Sequence, residues 1–301
     1  MPELPEVETV RAGLAAHLIG ARVQQVEVFD QRSLKKNFAG ASGFVQEIAG
    51  AEFQSVARRG KFLWLPINQN RAMVGHLGMS GQILIRTAGF APDPQTRVIL
   101  GVTAASGQEF EVRFVDQRLF GGLILEDLIP TRDGGPGGYS PETPIGNQIP
   151  TNVAHIARDL LDESFDARHV VEKMRSRSSG IKRVLLDQNL LSGIGNIYAD
   201  ESLWFAKLHY DQSADSISKA KLFELLEIAQ GVLRRAVEQG GTSFDEQYKN
   251  VNGESGYFSQ SLNAYGQTGQ PCPRCETPIK REAWANRGSH FCPRCQKLKR
   301  R

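Results

Sequence analysis

Met1-Pro2-Glu3-Leu4-Pro5-Glu6-Val7-Glu8-Thr9 opens this 301-residue chain, and its fold and its chemistry are both read outward from that stretch. Val7, Val10, Leu14 and Leu18 follow at helical spacing, Pro5 sits where a first turn tolerates proline, and Gly20 supplies a stop. The pattern predicts a helix over Pro5 to His17, directly after Pro2. A small second residue normally allows Met1 to be removed, which leaves Pro2 as a secondary amine. Attack of such an amine on a sugar aldehyde carbon gives an iminium with no N–H to lose, so the cation persists as an electron sink. An α-amino group titrates near ~7.7 to 8.0, against ~10.4 for lysine, so far more of it is unprotonated at neutral pH. Glu3 or Glu6 lies close enough in sequence to move the protons such chemistry needs. Acids in the first turn are equally what any N-terminal helix prefers, so this stretch alone leaves both readings open.

Beyond the helix the apolar period changes to two. Val26 with Val28, Phe62 with Trp64, Ile83 with Ile85, and Val98 with Leu100 and Val102 mark strands. Phe110, Val112 and Phe114 alternate with Glu111 and Arg113 after a Ser106-Gly107 turn, as in a hairpin. Residues 21–128 are therefore expected to form a β-sandwich. Gly134-Gly135-Pro136-Gly137-Gly138, with Pro141 and Pro144, makes 130–150 read as a linker. The period then becomes helical, in segments starting near Asp166 (a candidate cap), near Lys182 to Gln188, from Asn196 to Ala206, and from Lys219 to Gln239. Ser192-Gly193-Ile194-Gly195-Asn196 opens backbone amides onto a helix N-terminus, which suits a phosphate, although glycine turns between helices are common.

The net charge of +3 conceals an uneven distribution. From Cys272 to Arg301, nine Lys or Arg face two acids, giving +7 and leaving −4 for the rest of the chain. A small, strongly basic module suits a polyanion such as nucleic acid, while Lys297 to Arg301 reads equally as a solvated tail. All four cysteines fall in two Cys-x-x-Cys pairs, Cys272/Cys275 and Cys292/Cys295, with sixteen residues between the pairs. That spacing predicts a zinc ribbon in which four thiolates hold one structural Zn²⁺; two disulfides are the alternative. No run approaches 18 apolar residues, and an acidic N-terminus does not read as a signal peptide. The chain is expected in the cytoplasm, without a membrane partner.

Several separated motifs coincide with one family. They are the Met1 to Thr9 start, Arg59-Gly60-Lys61, His76-Leu77-Gly78-Met79-Ser80-Gly81, Gly193-Ile194-Gly195-Asn196-Ile197-Tyr198-Ala199, and the terminal ribbon. The chain resembles the formamidopyrimidine-DNA glycosylases, bacterial enzymes that excise oxidised purines. The resemblance implies an α+β fold: an N-terminal helix plus β-sandwich (2–129), a hinge at the linker (130–150), a helix-two-turns-helix domain (151–268) and a zinc finger (269–301). It implies a monomer acting on damaged double-stranded DNA, as a glycosylase and then as a lyase that cleaves the abasic site by β,δ-elimination. By the same likeness Pro2 is the nucleophile, Glu3 the acid/base with Glu6 in support, and Lys61 and Arg287 the further catalytic residues. His76, Arg118, Lys182 and Asn196 match DNA contacts, and Thr242 to Phe258 matches a loop that covers the flipped base.

An enzyme of this kind must extrude its target nucleotide and fill the hole. Met79, Arg118 and Phe120 match the filling residues, with Met and Phe as wedges and Arg able to bond the orphaned base. The family pattern Asp-Pro-Arg-Arg-Phe-Gly reads here Asp116-Gln117-Arg118-Leu119-Phe120-Gly121. Two other readings share some of these features: an endonuclease VIII-like glycosylase for oxidised pyrimidines, and a non-enzymatic zinc-ribbon protein that binds DNA. Leu4 argues against the former, whose members usually carry Gly there.

Overall fold

The computed structural model describes residues 2–242, 251–252 and 256–299. The chain forms two compact units: Met1–His155 with Gly240–Gly256, and Ile156–Gln239 with Tyr257–Arg301. The first begins with α1 (Leu4–Leu18), one residue longer at each end than the spacing predicts. The Glu6 carboxylate accepts the Glu3 backbone N–H at 2.9 Å, satisfying one of the donors that a helix start leaves over. Gly20, at φ +76°, turns the chain out of the helix.

Among its described residues nine strands follow: β1 (Arg22–Val28), β2 (Ala57–Arg59), β3 (Phe62–Pro66), β4 (Arg71–His76), β5 (Gly81–Thr87), β6 (Thr96–Thr103), β7 (Glu109–Asp116), β8 (Gly122–Pro130) and β9 (Gln148–Pro150). They pair as two antiparallel sheets, ordered β1-β6-β7-β5 and β2-β3-β4-β8-β9. Val7, Val10 and Leu14 of α1 join Leu63, Ile83, Leu100 and Phe114 from the two sheets in one core. A short helix, α2 (Gly40–Ile48), inserts Phe44 and Ile48 into the same core.

The stretch 130–150 differs from a plain linker. Its residues fold within the first unit: β9 pairs with β8, Tyr139 bridges Arg58, and Glu142 takes the Arg11 guanidinium at 2.6 Å. The glycines there permit contact rather than motion. A Cβ on Gly138 would stand 2.5 Å from the Trp64 ring, and one on Gly137 would stand 1.9 Å from the Gln148 carbonyl oxygen.

The second unit carries α3 (Ala167–Arg175), α4 (Ile181–Leu185), α5 (Asn196–Ala206) and α6 (Lys219–Glu238), then the hairpin β10 (Lys280–Trp284) and β11 (Arg287–Phe291). Asp166 caps α3, its side chain accepting the Arg168 and His169 N–H groups. Among the described residues no helix is long and apolar enough to cross a membrane.

Candidate active site and nucleic-acid contacts

Pro2 and Glu3 are buried at the head of α1. Glu6 faces three donors: the Glu3 N–H on one oxygen, and the Thr242 N–H at 2.7 Å and hydroxyl at 2.9 Å on the other. It therefore anchors the segment that returns at Gly240 to the start of α1. Gly241 permits this approach: it sits at φ +81°, where a Cβ would stand 2.9 Å from Glu6 Oε1. Lys61 occupies the tight turn between β2 and β3, beside Gly60 at φ +57°, and is half-buried.

The three void-filling candidates lie on two loops that one carboxylate organises. Asp116, fully buried, accepts the Ser80 hydroxyl at 2.5 Å, the Arg118 N–H at 3.1 Å and the Gly121 N–H at 2.8 Å. Gly78, at φ +59°, lets the backbones touch, since a Cβ there would stand 2.6 Å from both the Phe120 carbonyl carbon and the Gly121 nitrogen. Met79 and Phe120 are left 42 % and 59 % exposed, a large apolar area for side chains on a folded domain. Arg118 is exposed between them in sequence, and Leu119 takes a left-handed φ of +56°. The two positions that depart from the family pattern thus sit inside a loop whose path is set by Asp116.

His76, at the end of β4, is held below its usual pKa by burial, with the Lys36 charge adding to the effect. At neutral pH it is therefore an uncharged hydrogen-bonding group. Because the fold disfavours its protonated form, the unfolded chain binds more protons as pH falls through the usual 6.5, and stability should decline from there until the lowered folded value is passed. The difference between wild-type and His76→Phe urea melts should reveal that loss as pH falls below the usual 6.5. A difference that does not change with pH would contradict it.

Lys182 and Asn196, matched to phosphate contacts, are engaged elsewhere. Lys182 is fully buried, its ammonium bonded to Asp200 at 2.6 Å, the Ser289 hydroxyl at 2.8 Å and the Gly288 carbonyl at 3.2 Å. Asn196 donates to the same Gly288 carbonyl at 3.0 Å, and Asp200 accepts the His290 N–H at 2.8 Å. In this structure the Lys182 ammonium, committed to a buried carboxylate and to β11, positions the hairpin. Asp200 escaped the sequence reading, although it lies four residues after Asn196 and hence on the same face of α5. Lys182→Met should strand Asp200 as a buried charge and cost about 3–5 kcal/mol in urea unfolding. A loss within ~0.5 kcal/mol, the size of an ordinary surface change, would refute this role.

The hairpin turns at Ala285 and Asn286, both at positive φ, and presents Arg287, exposed, as the first residue of β11. The four cysteine sulfurs lie within 4.8 Å of one another, and no disulfide joins them. Tetrahedral zinc with bonds of ~2.3 Å needs sulfurs about 3.8 Å apart, so the cage fits the ion. Burial pushes the Cys292 thiol up to about 12, whereas hydrogen bonds from Thr277 hold Cys275 at about 6. A further buried acid, Glu201, accepts the backbone N–H groups of Asn263, Ala264 and Tyr265 and so fixes the approach to the ribbon; burial raises its pKa. Of the loop matched to base capping, 243–250 and 253–255 lie outside the described residues.

Comparison with known proteins agrees with this architecture. Residues 1–123 match the formamidopyrimidine-DNA glycosylase N-terminal domain, 156–247 its H2TH domain, and 269–298 the zinc finger found in FPG and IleRS. The formamidopyrimidine-DNA glycosylase of Leifsonia xyli subsp. xyli is 53 % identical over 300 residues, covering 99 % of this chain and 100 % of that protein. That of a Nocardioides species is 47 % identical over 301 residues, covering 100 % and 96 %. Among solved structures, the Lactococcus lactis Fpg bound to abasic-site DNA superposes with a TM-score of 0.80 at 28 % identity, covering 98 % of this chain and 99 % of that one. MutM in complex with DNA containing carbocyclic 8-oxo-G gives 0.81 at 29 % identity, covering 98 % and 100 %. The chain belongs to the formamidopyrimidine-DNA glycosylase family.

Proposed function

We propose that this protein is a bifunctional base-excision enzyme that removes oxidised purines from duplex DNA and cleaves the resulting abasic site, with Pro2 as its nucleophile. The Pro2 nitrogen bonds to C1′ of the damaged nucleotide as the base departs with its bonding electrons and a proton. Ring opening leaves an iminium that acidifies the C2′ proton. Removal of that proton expels the 3′ phosphate, and a second elimination expels the 5′ phosphate. Glu3 moves the protons, since Glu6 already carries three donors that tie it to the fold. Lys61 and Arg287 hold the reacting strand's phosphates and support the two eliminations. Met79, Arg118 and Phe120 occupy the space left by extrusion, and zinc keeps the hairpin under Arg287 in shape.

The observation that carries this reading is the buried Pro2-Glu3 pair at the capped start of α1, with the Glu6 carboxylate accepting the Glu3 N–H, in a chain that belongs to this family. We further propose that the protein acts as a cytoplasmic monomer. Cleavage of duplexes carrying 8-oxoguanine opposite C should exceed cleavage of those carrying thymine glycol; the reverse order would favour the pyrimidine-directed alternative.

A further inference from the structure

One feature of the basic C-terminal tail has no part in that chemistry. In the second unit, a cavity of about 690 Å³ opens between the end of α5, the turn before α6 and the residues that follow the last cysteine pair. Lys207, Lys221, Lys297 and Lys299 line it, with the hydroxyl-bearing Ser216 and Ser218. None of these belongs to the contacts assigned to the lesion.

The tail is held in place there. The buried Gln212 side chain accepts the Lys299 backbone N–H at 2.9 Å and donates to the Lys299 carbonyl at 3.2 Å. A two-way clamp on one backbone unit fixes Lys297 and Lys299 at the rim, so this part of the tail is not simply a solvated end. Lys221 is paired with Glu224, but among the described residues no carboxylate pairs with Lys207, Lys297 or Lys299. Three exposed ammonium groups with no carboxylate partner thus line one concavity, and an anion that brings several charges can engage them together. Ser218 caps α6 by accepting the Lys221 N–H, so the first turn of a 20-residue helix adds its positive end to the same space.

We propose that this cavity is a phosphate-binding site for a polyanion, taking either the backbone phosphates of duplex DNA beyond the lesion or a free polyphosphate. The DNA source rests on the function proposed above; the site's affinity for phosphate does not.

The test uses the full-length, zinc-loaded protein and the variant Lys207→Gln/Lys297→Gln/Lys299→Gln, checked for equal zinc content and equal thermal midpoint. Two probes are read: salt titration of binding to an undamaged duplex of several helical turns, and calorimetric binding of inorganic tripolyphosphate. If the source is DNA, the slope of log K against log salt should shrink by about 2 to 3 in the variant, since each neutralised phosphate contributes ~0.9. If it is a free polyphosphate, wild-type protein should bind tripolyphosphate and the variant should bind it at least about tenfold more weakly, with the DNA slope unchanged. An unchanged slope together with unchanged tripolyphosphate binding overturns the site. Borohydride trapping at saturating lesion DNA should be equal in both proteins, so failure of this proposal is separable from failure of the catalytic reading.

Discussion

Protein that retains Met1 in front of Pro2 should lose excision by at least about 10³-fold and give no borohydride-trapped adduct with lesion DNA. Acylation turns the Pro2 nitrogen into a tertiary amide, whose lone pair is delocalised and cannot form the bond to C1′. The remaining machinery would be intact: Glu3 and Glu6 stay at the head of α1, and Met79 and Phe120 stay exposed on loops governed by Asp116. Binding to lesion duplex should therefore change little while chemistry disappears. Pro2→Gly makes a milder comparison. A primary amine still forms an imine, but this can lose its proton and its charge, so trapping and elimination should fall without vanishing. Active preparations in which mass spectrometry finds Met1 on every chain would contradict the assignment.

Removing zinc should have the second largest effect. The ribbon has little apolar material: its core gathers Trp204, Ala264, Ile279, Cys272 and Cys292, with Cys275 and Cys295 packed against it, so the metal ligands are themselves the core. A module that small draws its folding energy from the metal, with apparent values on the order of 10–16 kcal/mol in isolated finger peptides. Without it four thiols within 4.8 Å of each other have nothing to organise them, and the hairpin that carries Arg287 loses one of its supports. Support remains from the Lys182, Asn196 and Asp200 cluster on Gly288, Ser289 and His290, and from Tyr210, whose hydroxyl donates to Glu282. Affinity for lesion duplex should thus fall by about 100-fold, or roughly 3 kcal/mol, rather than vanish. Equal affinity after metal loss shown by elemental analysis would refute the role given to the ribbon.

The parts of this account that were legible in the sequence are those where one local rule decides. The helix after Pro2 and the strands β1, β3, β5, β6 and β7 follow from apolar periodicity, and the metal cage follows from cysteine spacing. β4 was missed because it lies between β3 and β8 and is buried from Ala72 to Gly75, which erases the alternation that marks a half-exposed strand. The stretch 130–150 misled for a related reason. Glycine and proline signal a loop, but whether a loop packs depends on partners far away, here Arg11, Arg58 and Trp64. Lys182 shows the same limit at the candidate site: a local motif cannot display its burial against Asp200 and β11, which joins residues up to 107 positions apart. Asp116 and Glu201 act through backbone N–H groups, which no residue-type pattern displays.

Everything proposed for the chemistry turns on which nitrogen joins the sugar. The direct measurement is borohydride trapping on a duplex containing 8-oxoguanine, followed by proteolysis and mass spectrometry of the nucleotide-bearing peptide. The account predicts the adduct on the peptide beginning at Pro2, at its terminal nitrogen. An adduct on Lys61 or any other lysine, with the Pro2 peptide recovered unmodified, would contradict it.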